Sequence, residues 1–213
     1  MVVAVVPLKN LKSAKSRLSG ILAEGERQEL VLAMLNDVLV TLKESQLVEE
    51  IFIVADKHFN PVSNVQMITE TENRGYDEAI IEALRDSRVN EAQSMLILPA
   101  DLPLVTKDEL NIFIGNPEDK SIRIAGARDQ DGTNALLMKP PSLLATSYGV
   151  GSFERHKRVA SGLSVKIEEI NLPGLAVDMD TEKDLIDFVK TKSDTNTYRF
   201  LNESGIVKRL TKL

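Results

Sequence analysis

The chain has 213 residues, 43% of them hydrophobic, enough for a full buried core and too apolar for a disordered segment. Lysine and arginine number 26 against 32 aspartate and glutamate; the net charge of −6 argues against general affinity for nucleic acid or an anionic membrane. The absence of cysteine, and the presence of only two histidines, His58 and His156, exclude disulfides, thiolate metal sites, a cysteine nucleophile and a three-histidine metal centre.

The opening run Met1-Val2-Val3-Ala4-Val5-Val6 has no basic segment before it and meets Pro7 at once, so it reads as a buried strand rather than a leader. No stretch approaches the roughly 18 apolar residues of a spanning helix, and the expected compartment is cytoplasmic. Further strand-like runs lie at residues 51–55, 95–98, 122–127, 135–138 and 163–170. Helical spacing fills most of the intervals. Between 24 and 44, Leu30, Val31, Met34, Leu35, Val38, Leu39 and Leu42 form one broad apolar stripe. Residues 76–88 repeat the pattern through Ala79, Ile80, Ala83 and Leu84. Helices are also expected at 106–114, opened by Thr106, at 153–160, and after Thr181 through Leu185, Ile186 and Val189. This alternation predicts an α/β domain over 1–192, with a mostly parallel sheet covered on both faces. The tail, 193–213, begins with a polar break at 193–197. Phe200, Leu201, Ile206, Val207 and Leu210 then have helical spacing, which suits a docked or swapped helix and a homodimer arm.

Four constellations carry chemistry. The loop after the first strand holds Lys9, Lys12, Lys15 and Arg17 with no acid before Glu24. Open α/β sheets bind ligands at the carboxyl ends of their strands, so this local positive field suits a polyphosphate, although a merely solvating loop would look the same. No Walker loop or dinucleotide fingerprint is present. Second, Leu98-Pro99-Ala100-Asp101-Leu102-Pro103 delivers a single carboxylate between two prolines. Beside a phosphate site Asp101 suits magnesium; otherwise it is a turn aspartate. Third, in Asp178-Met179-Asp180-Thr181, alternation places both acids on one side of an extended segment, offering a second metal ligand. The competing role is a helix cap by Asp180 or Thr181. Fourth, Asp131-Gly132-Thr133-Asn134 and Gly149-Val150-Gly151-Ser152 present glycines and hydroxyls ahead of a helix, an anion site or simply a hairpin turn and an N-cap. His58 and His156 read as surface or structural residues, His156 within the basic run Arg155-His156-Lys157-Arg158 of a solvated helix face.

Taken as an ordered set from residue 2 to about 190, these segments resemble the 2-phospho-L-lactate guanylyltransferases of coenzyme F(420) biosynthesis, a family that also includes phosphoenolpyruvate guanylyltransferases. Pro7-Leu8-Lys9, Ala14-Lys15-Ser16-Arg17-Leu18, Leu98-Pro99-Ala100-Asp101, Gly132-Thr133-Asn134, Gly149-x-Gly-Ser152-Phe153-x-Arg155-His156 and Pro173-Gly174-Leu175-Ala176-Val177-Asp178-Met179-Asp180-Thr181 carry the likeness. The resemblance implies a three-layer α/β/α, Rossmann-like sandwich of the glycosyltransferase-A-like nucleotidyltransferase fold. It implies Lys15, Arg17 and Asp101 as catalytic residues. Leu8, Lys9, Lys12, Lys15, Gly75, Asp77, Pro99 and Ala100 would hold GTP. Thr133, Asn134, Gly149 and Ser152 would hold a small phosphorylated carboxylic acid, and Asp101 with Asp178 or Asp180 would hold Mg2+. One departure is Gly75-Tyr76-Asp77 where the family usually shows Gly-Leu-Asn, so a nucleoside contact there would be made by a carboxylate. Phosphoenolpyruvate or 3-phosphoglycerate as acceptor, another nucleoside triphosphate as donor, and a non-catalytic nucleotide-binding module remain as competing readings.

Overall fold

The computed structural model describes residues 1–59, 64–70 and 74–211. The chain opens with β1 (Val2–Pro7), two 3-10 turns (Leu11–Ser13 and Ser16–Leu18) and the long helix α1 (Glu24–Glu44). Then come β2 (Val48–Asp56), β3 (Gln66–Glu70), α2 (Tyr76–Arg85), α3 (Ser87–Asn90), β4 (Ser94–Ile97) and α4 (Lys107–Ile114). The second half holds β5 (Ser121–Gly126), β6 (Thr133–Lys139), α5 (Ser152–Gly162), β7 (Lys166–Glu169) and α6 (Pro173–Ala176). Helices α7 (Glu182–Lys190), α8 (Asn196–Glu203) and α9 (Ile206–Leu210) close it.

Among the described residues seven strands form one sheet in the order β3-β2-β1-β4-β6-β5-β7. Every pairing is parallel except those of β6, which runs antiparallel to both β4 and β5. This is the mostly parallel α/β sheet expected from the apolar strands. In β1, Val3 to Val6 are all fully buried because helices cover both faces. Ala4 and Val6 join Ile53, Leu96 and Leu137 under α1, α4, α7, α8 and α9. Val3 and Val5 join Phe52, Met95 and Leu136 under α2, α3 and α5. Each such side chain contributes roughly 1.5–3 kcal/mol by leaving water.

Several boundaries depart from expectation. The helix expected over 76–88 breaks at Asp86, whose extended backbone ends α2 and whose carboxylate accepts from Arg88 N–H to start α3. The strand expected over 163–170 shrinks to β7, because Leu163 caps α5 and Ser164 adopts φ 54°. The edge strand β3 was not expected at all; its exposure alternates, and of its five residues only Ile68 and Glu70 are buried. The tail lies against its own chain: Leu201, Ile206 and Leu210 enter the same core as α1. Among the described residues no helix is long and apolar enough to cross a membrane.

The order reverses beside β1, with β2 on one side and β4 on the other. The carboxyl ends of β1, β4 and β5 therefore share an edge, and antiparallel β6 begins there. That edge brings together segments from the whole length of the chain.

Candidate active site

Lys15 lies between the two 3-10 turns with φ 52° and ψ 40°, a left-handed backbone seldom used by a residue with a side chain. Its ammonium donates to Asp101 Oδ2 at 2.6 Å and to Asp180 Oδ1 at 2.5 Å. The lysine side chain is 9% exposed and that of Asp101 24%. Burial acts to lower the Lys15 pKa, but attraction and hydrogen bonding from Asp101 and Asp180 outweigh it and raise it above the usual lysine value. Lys15 is a fixed positive charge. For Asp180, burial pushes upward, and the Lys15 ammonium, helped by Arg17 and Lys9, pulls harder and holds the carboxyl below the usual range.

Helix capping decides which acids are free. Thr181 forms the capping box of α7: its hydroxyl accepts from Asp184 N–H at 3.3 Å, and Asp184 accepts from Thr181 N–H at 2.8 Å. Asp180, relieved of capping, faces Lys15. The backbone N–H of Met179 donates to the Asp101 carbonyl at 3.2 Å, lacing the two acidic segments together. Gly174 lets its segment approach that wall closely, since a Cβ there would come 2.7 Å from the Leu104 carbonyl oxygen. Asp178 Oδ1 accepts from Asn134 Nδ2 at 3.2 Å, and the same amide donates to the Leu175 carbonyl. Burial, then the neighbouring Asp101 charge, raises the pKa of Asp178.

The opposite wall is built on α5. Ser152 and Thr133 are buried, and Ser152 Oγ donates to Thr133 Oγ1 at 3.3 Å. Behind them His156 is fully buried, not on a solvated face. Its Nε2 accepts the backbone N–H of Ser147 at 2.9 Å, so the neutral ring carries its proton on Nδ1, 3.0 Å from Thr133 Oγ1. Burial lowers the His156 pKa to about 4. Arg155 holds the adjoining turn by donating to the carbonyls of Ser147, Tyr148 and Val150 and to the Ser147 hydroxyl. Gly149 and Gly151 take φ 103° and 72°, which only glycine adopts freely.

These walls enclose a cleft of about 700 Å³. Of the residues singled out in the sequence, Lys9, Arg17, Pro99, Asp101, Thr133, Asn134, Gly149, Ser152, Asp178 and Asp180 line it. Lys15 reaches it through its two aspartates. Leu8 is buried, with its N–H on the Val54 carbonyl, and Lys12 is exposed; neither lines the cleft. Gly75 and Ala100 do not line it either. Asp77 spends both carboxylate oxygens on the N–H of Tyr148, at 3.0 and 3.1 Å. Tyr76, Arg128, Tyr148 and Lys183 line the cleft without having been singled out for it. His58 is exposed.

Comparison with known proteins places this geometry in a context. Residues 2–212 match the family described as guanylyl transferase CofC like. A phosphoenolpyruvate guanylyltransferase of Sphaerobacter thermophilus is 34% identical over 190 residues, covering 86% of this chain and 90% of that protein. A 2-phospho-L-lactate guanylyltransferase of Methanobrevibacter smithii is 28% identical over 206 residues, covering 95% and 90%. Among solved structures, a protein of Desulfovibrio desulfuricans G20 assigned as a nucleotide-diphospho-sugar transferase superposes with TM-score 0.76 at 14% identity, covering 98% of this chain and 96% of that one. A Methanothermobacter nucleotidyl transferase gives 0.59 at 16% identity, covering 95% and 99%. At such identities these two likenesses speak for the nucleotidyltransferase fold alone.

Proposed function

The chain belongs to the CofC-like guanylyl transferase family, a family of nucleotidyltransferases, and from that premise we propose that it joins GTP to 2-phospho-L-lactate. The products would be lactyl-2-diphospho-5′-guanosine and pyrophosphate, a step of coenzyme F(420) biosynthesis. The observation that carries the reading is the meeting of Asp101 and Asp180 on one lysine at the carboxyl edge of the sheet, opposite the hydroxyls of Thr133 and Ser152.

In this reading the acceptor phosphate attacks the α-phosphorus of GTP in line, and pyrophosphate leaves. A phosphate monoester with a second pKa near 6 is largely dianionic at neutral pH and needs no general base. The site agrees, since both ring nitrogens of His156 are engaged and its pKa is about 4. Lys9 and Arg17 on the cleft wall draw in the triphosphate, where one charge pair at 4 Å is worth about 4 kcal/mol at an effective dielectric of 20. Lys15 orients Asp101 and Asp180 and holds Asp180 ionised. Thr133, Gly149 and Ser152 receive the acceptor.

The donor set suits a hard divalent cation. Asp101, Asp178 and Asp180 offer carboxylate oxygens, and the crowding of Asp178 by Asp101 is a repulsion that such a cation relieves. Among the described residues, no three such groups are already drawn into a metal cluster, and Lys15 stands between two of these acids. When bound, Mg2+ would supply neutralisation of phosphate charge. We propose a cytoplasmic enzyme and a homodimer.

Phosphoenolpyruvate is the second reading, favoured by the 34% and 35% identities to relatives named for it. Incubation of the protein with GTP, Mg2+ and 2-phospho-L-lactate, phosphoenolpyruvate or 3-phosphoglycerate, read as product mass, tests both. The expected result is fastest formation of the lactyl adduct. Faster phosphoenolpyruvate turnover supports the second reading, and no pyrophosphate release with any acid overturns guanylyl transfer.

A further inference from the structure

Tyr76 and Tyr148 meet across the cleft wall with ring centroids 4.4 Å apart and planes tilted by 48°. Both residues line the cleft, yet both hydroxyl oxygens are buried without a hydrogen-bond partner among the described residues. A buried hydroxyl left unpaired costs free energy, and native structures keep few of them. Two in one wall of one cleft are not a packing accident. Phenylalanine would supply the same ring surface without that cost, so the hydroxyls have a use that the free protein does not display.

The surroundings narrow that use. Tyr148 directly precedes Gly149, its ring stands edge-on to His156 at 5.1 Å, and its N–H is pinned by Asp77. It therefore borders the Thr133 and Ser152 side of the cleft. Tyr76 feels the charge of Asp101. The pair thus adjoins His156 behind the hydroxyl wall and feels the charge of the acidic wall. Burial raises both phenol pKa values, so each hydroxyl stays protonated and able to donate.

We propose that Tyr76 and Tyr148, whose hydroxyls are closed off in the free protein, present them on acceptor binding as a two-donor subsite for an anionic oxygen group, phosphate or carboxylate, of the small acid acceptor, and so help to set acceptor affinity. The proposal rests on the guanylyl transfer reading for the identity of the acceptor, but not for the existence of the subsite. It adds uncharged donors to a wall that already has Thr133 and Ser152, binding an anion without placing another cation beside Lys15.

The test uses Tyr76→Phe, Tyr148→Phe and the double variant, with Tyr198→Phe as control. Steady-state turnover should show KM for the acceptor rising on the order of tenfold per hydroxyl lost, with KM for GTP within about twofold. Thermal midpoints should hold or rise, because no protein hydrogen bond is removed. Titration calorimetry reports binding without any turnover. Inorganic phosphate and L-lactate, titrated separately, distinguish the two anionic groups: the one that binds the wild type, and fails to bind the double variant, is the group bound. Binding of either probe without guanylyl transfer would sink the reading of the reaction and leave the subsite standing. Normal transfer with unchanged acceptor KM in the double variant would overturn the subsite alone, as would a matching effect of Tyr198→Phe or a loss of stability that accounts for the rise.

Discussion

The ammonium of Lys15 lies 2.6 Å from the carboxylate of Asp101, a residue 86 positions further along the chain, and also meets Asp180, 165 positions away. A cation held at that point fixes the spacing of two segments that nothing local could align. Lys15→Met should therefore do two things. It should leave two carboxylates facing each other, lowering stability by about 2 kcal/mol, less than for a fully buried pair because Asp101 and Asp180 keep some exposure. It should also reduce kcat/KM at least a hundredfold. Urea unfolding and pyrophosphate release check the two parts, and a stable variant with normal turnover would contradict the role given to Lys15.

His156 makes stability depend on pH. Its folded pKa of about 4 lies below the ordinary value of 6.5, so between these the unfolded chain binds more protons than the folded one. The stabilisation from keeping the ring neutral is complete above about pH 6.5 and is lost as pH falls towards 4, amounting to about 3 kcal/mol. Asp77 opposes the shift and Arg155 reinforces it. Urea midpoints measured across this range should fall with acidification in the wild type, with a shallower fall in His156→Gln. Parallel curves would count against the assignment.

Arg155 offers a test of the acceptor wall. Its guanidinium ties down three carbonyls of the 147–150 turn, so Arg155→Ala should loosen Gly149 and raise acceptor KM about tenfold while GTP KM stays constant. A change confined to GTP KM would mean that this turn serves the nucleotide instead.

The tail depends on Asp37, whose buried carboxylate on α1 accepts from the N–H groups of Asn196 and Thr197, the Asn196 amide and the Thr197 hydroxyl. The acid also faces the positive end of the α8 dipole. Asp37→Ala should cost about 3 kcal/mol and open the 193–197 segment to protease. Unchanged unfolding and cleavage would show the tail to be held by its apolar residues alone.

The parts of this molecule that were legible in its sequence are those with a one-dimensional signal. Central strands such as β1 and β4 are apolar throughout because both faces are covered, and α1 carries an unbroken stripe. Edge strand β3 has one wet face and too short an alternation to stand out from a loop. Asp86 interrupts a good helical pattern because its side chain offers the backbone a better partner than the next turn. Within the cleft, the acids and the lysine announce themselves as isolated charges beside apolar strands. Tyr76, Tyr148 and His156 do not, since a ring at helical or turn spacing looks like core. Arg128 and Lys183 look like ordinary surface cations until the topology brings β5 and α7 to the same edge. The choice between Asp180 and Thr181 as helix cap is decided by geometry that no spacing rule distinguishes.

The most direct test of the central claim is Mg2+-dependent pyrophosphate release from GTP and 2-phospho-L-lactate by Asp101→Asn beside the wild type, with folding monitored by circular dichroism. Removal of one charge at the meeting point of Lys15, Asp178 and Asp180 should leave the spectrum unchanged and lower turnover on the order of a thousandfold. A folded Asp101→Asn protein that transfers guanylyl groups at a near-normal rate would contradict the account.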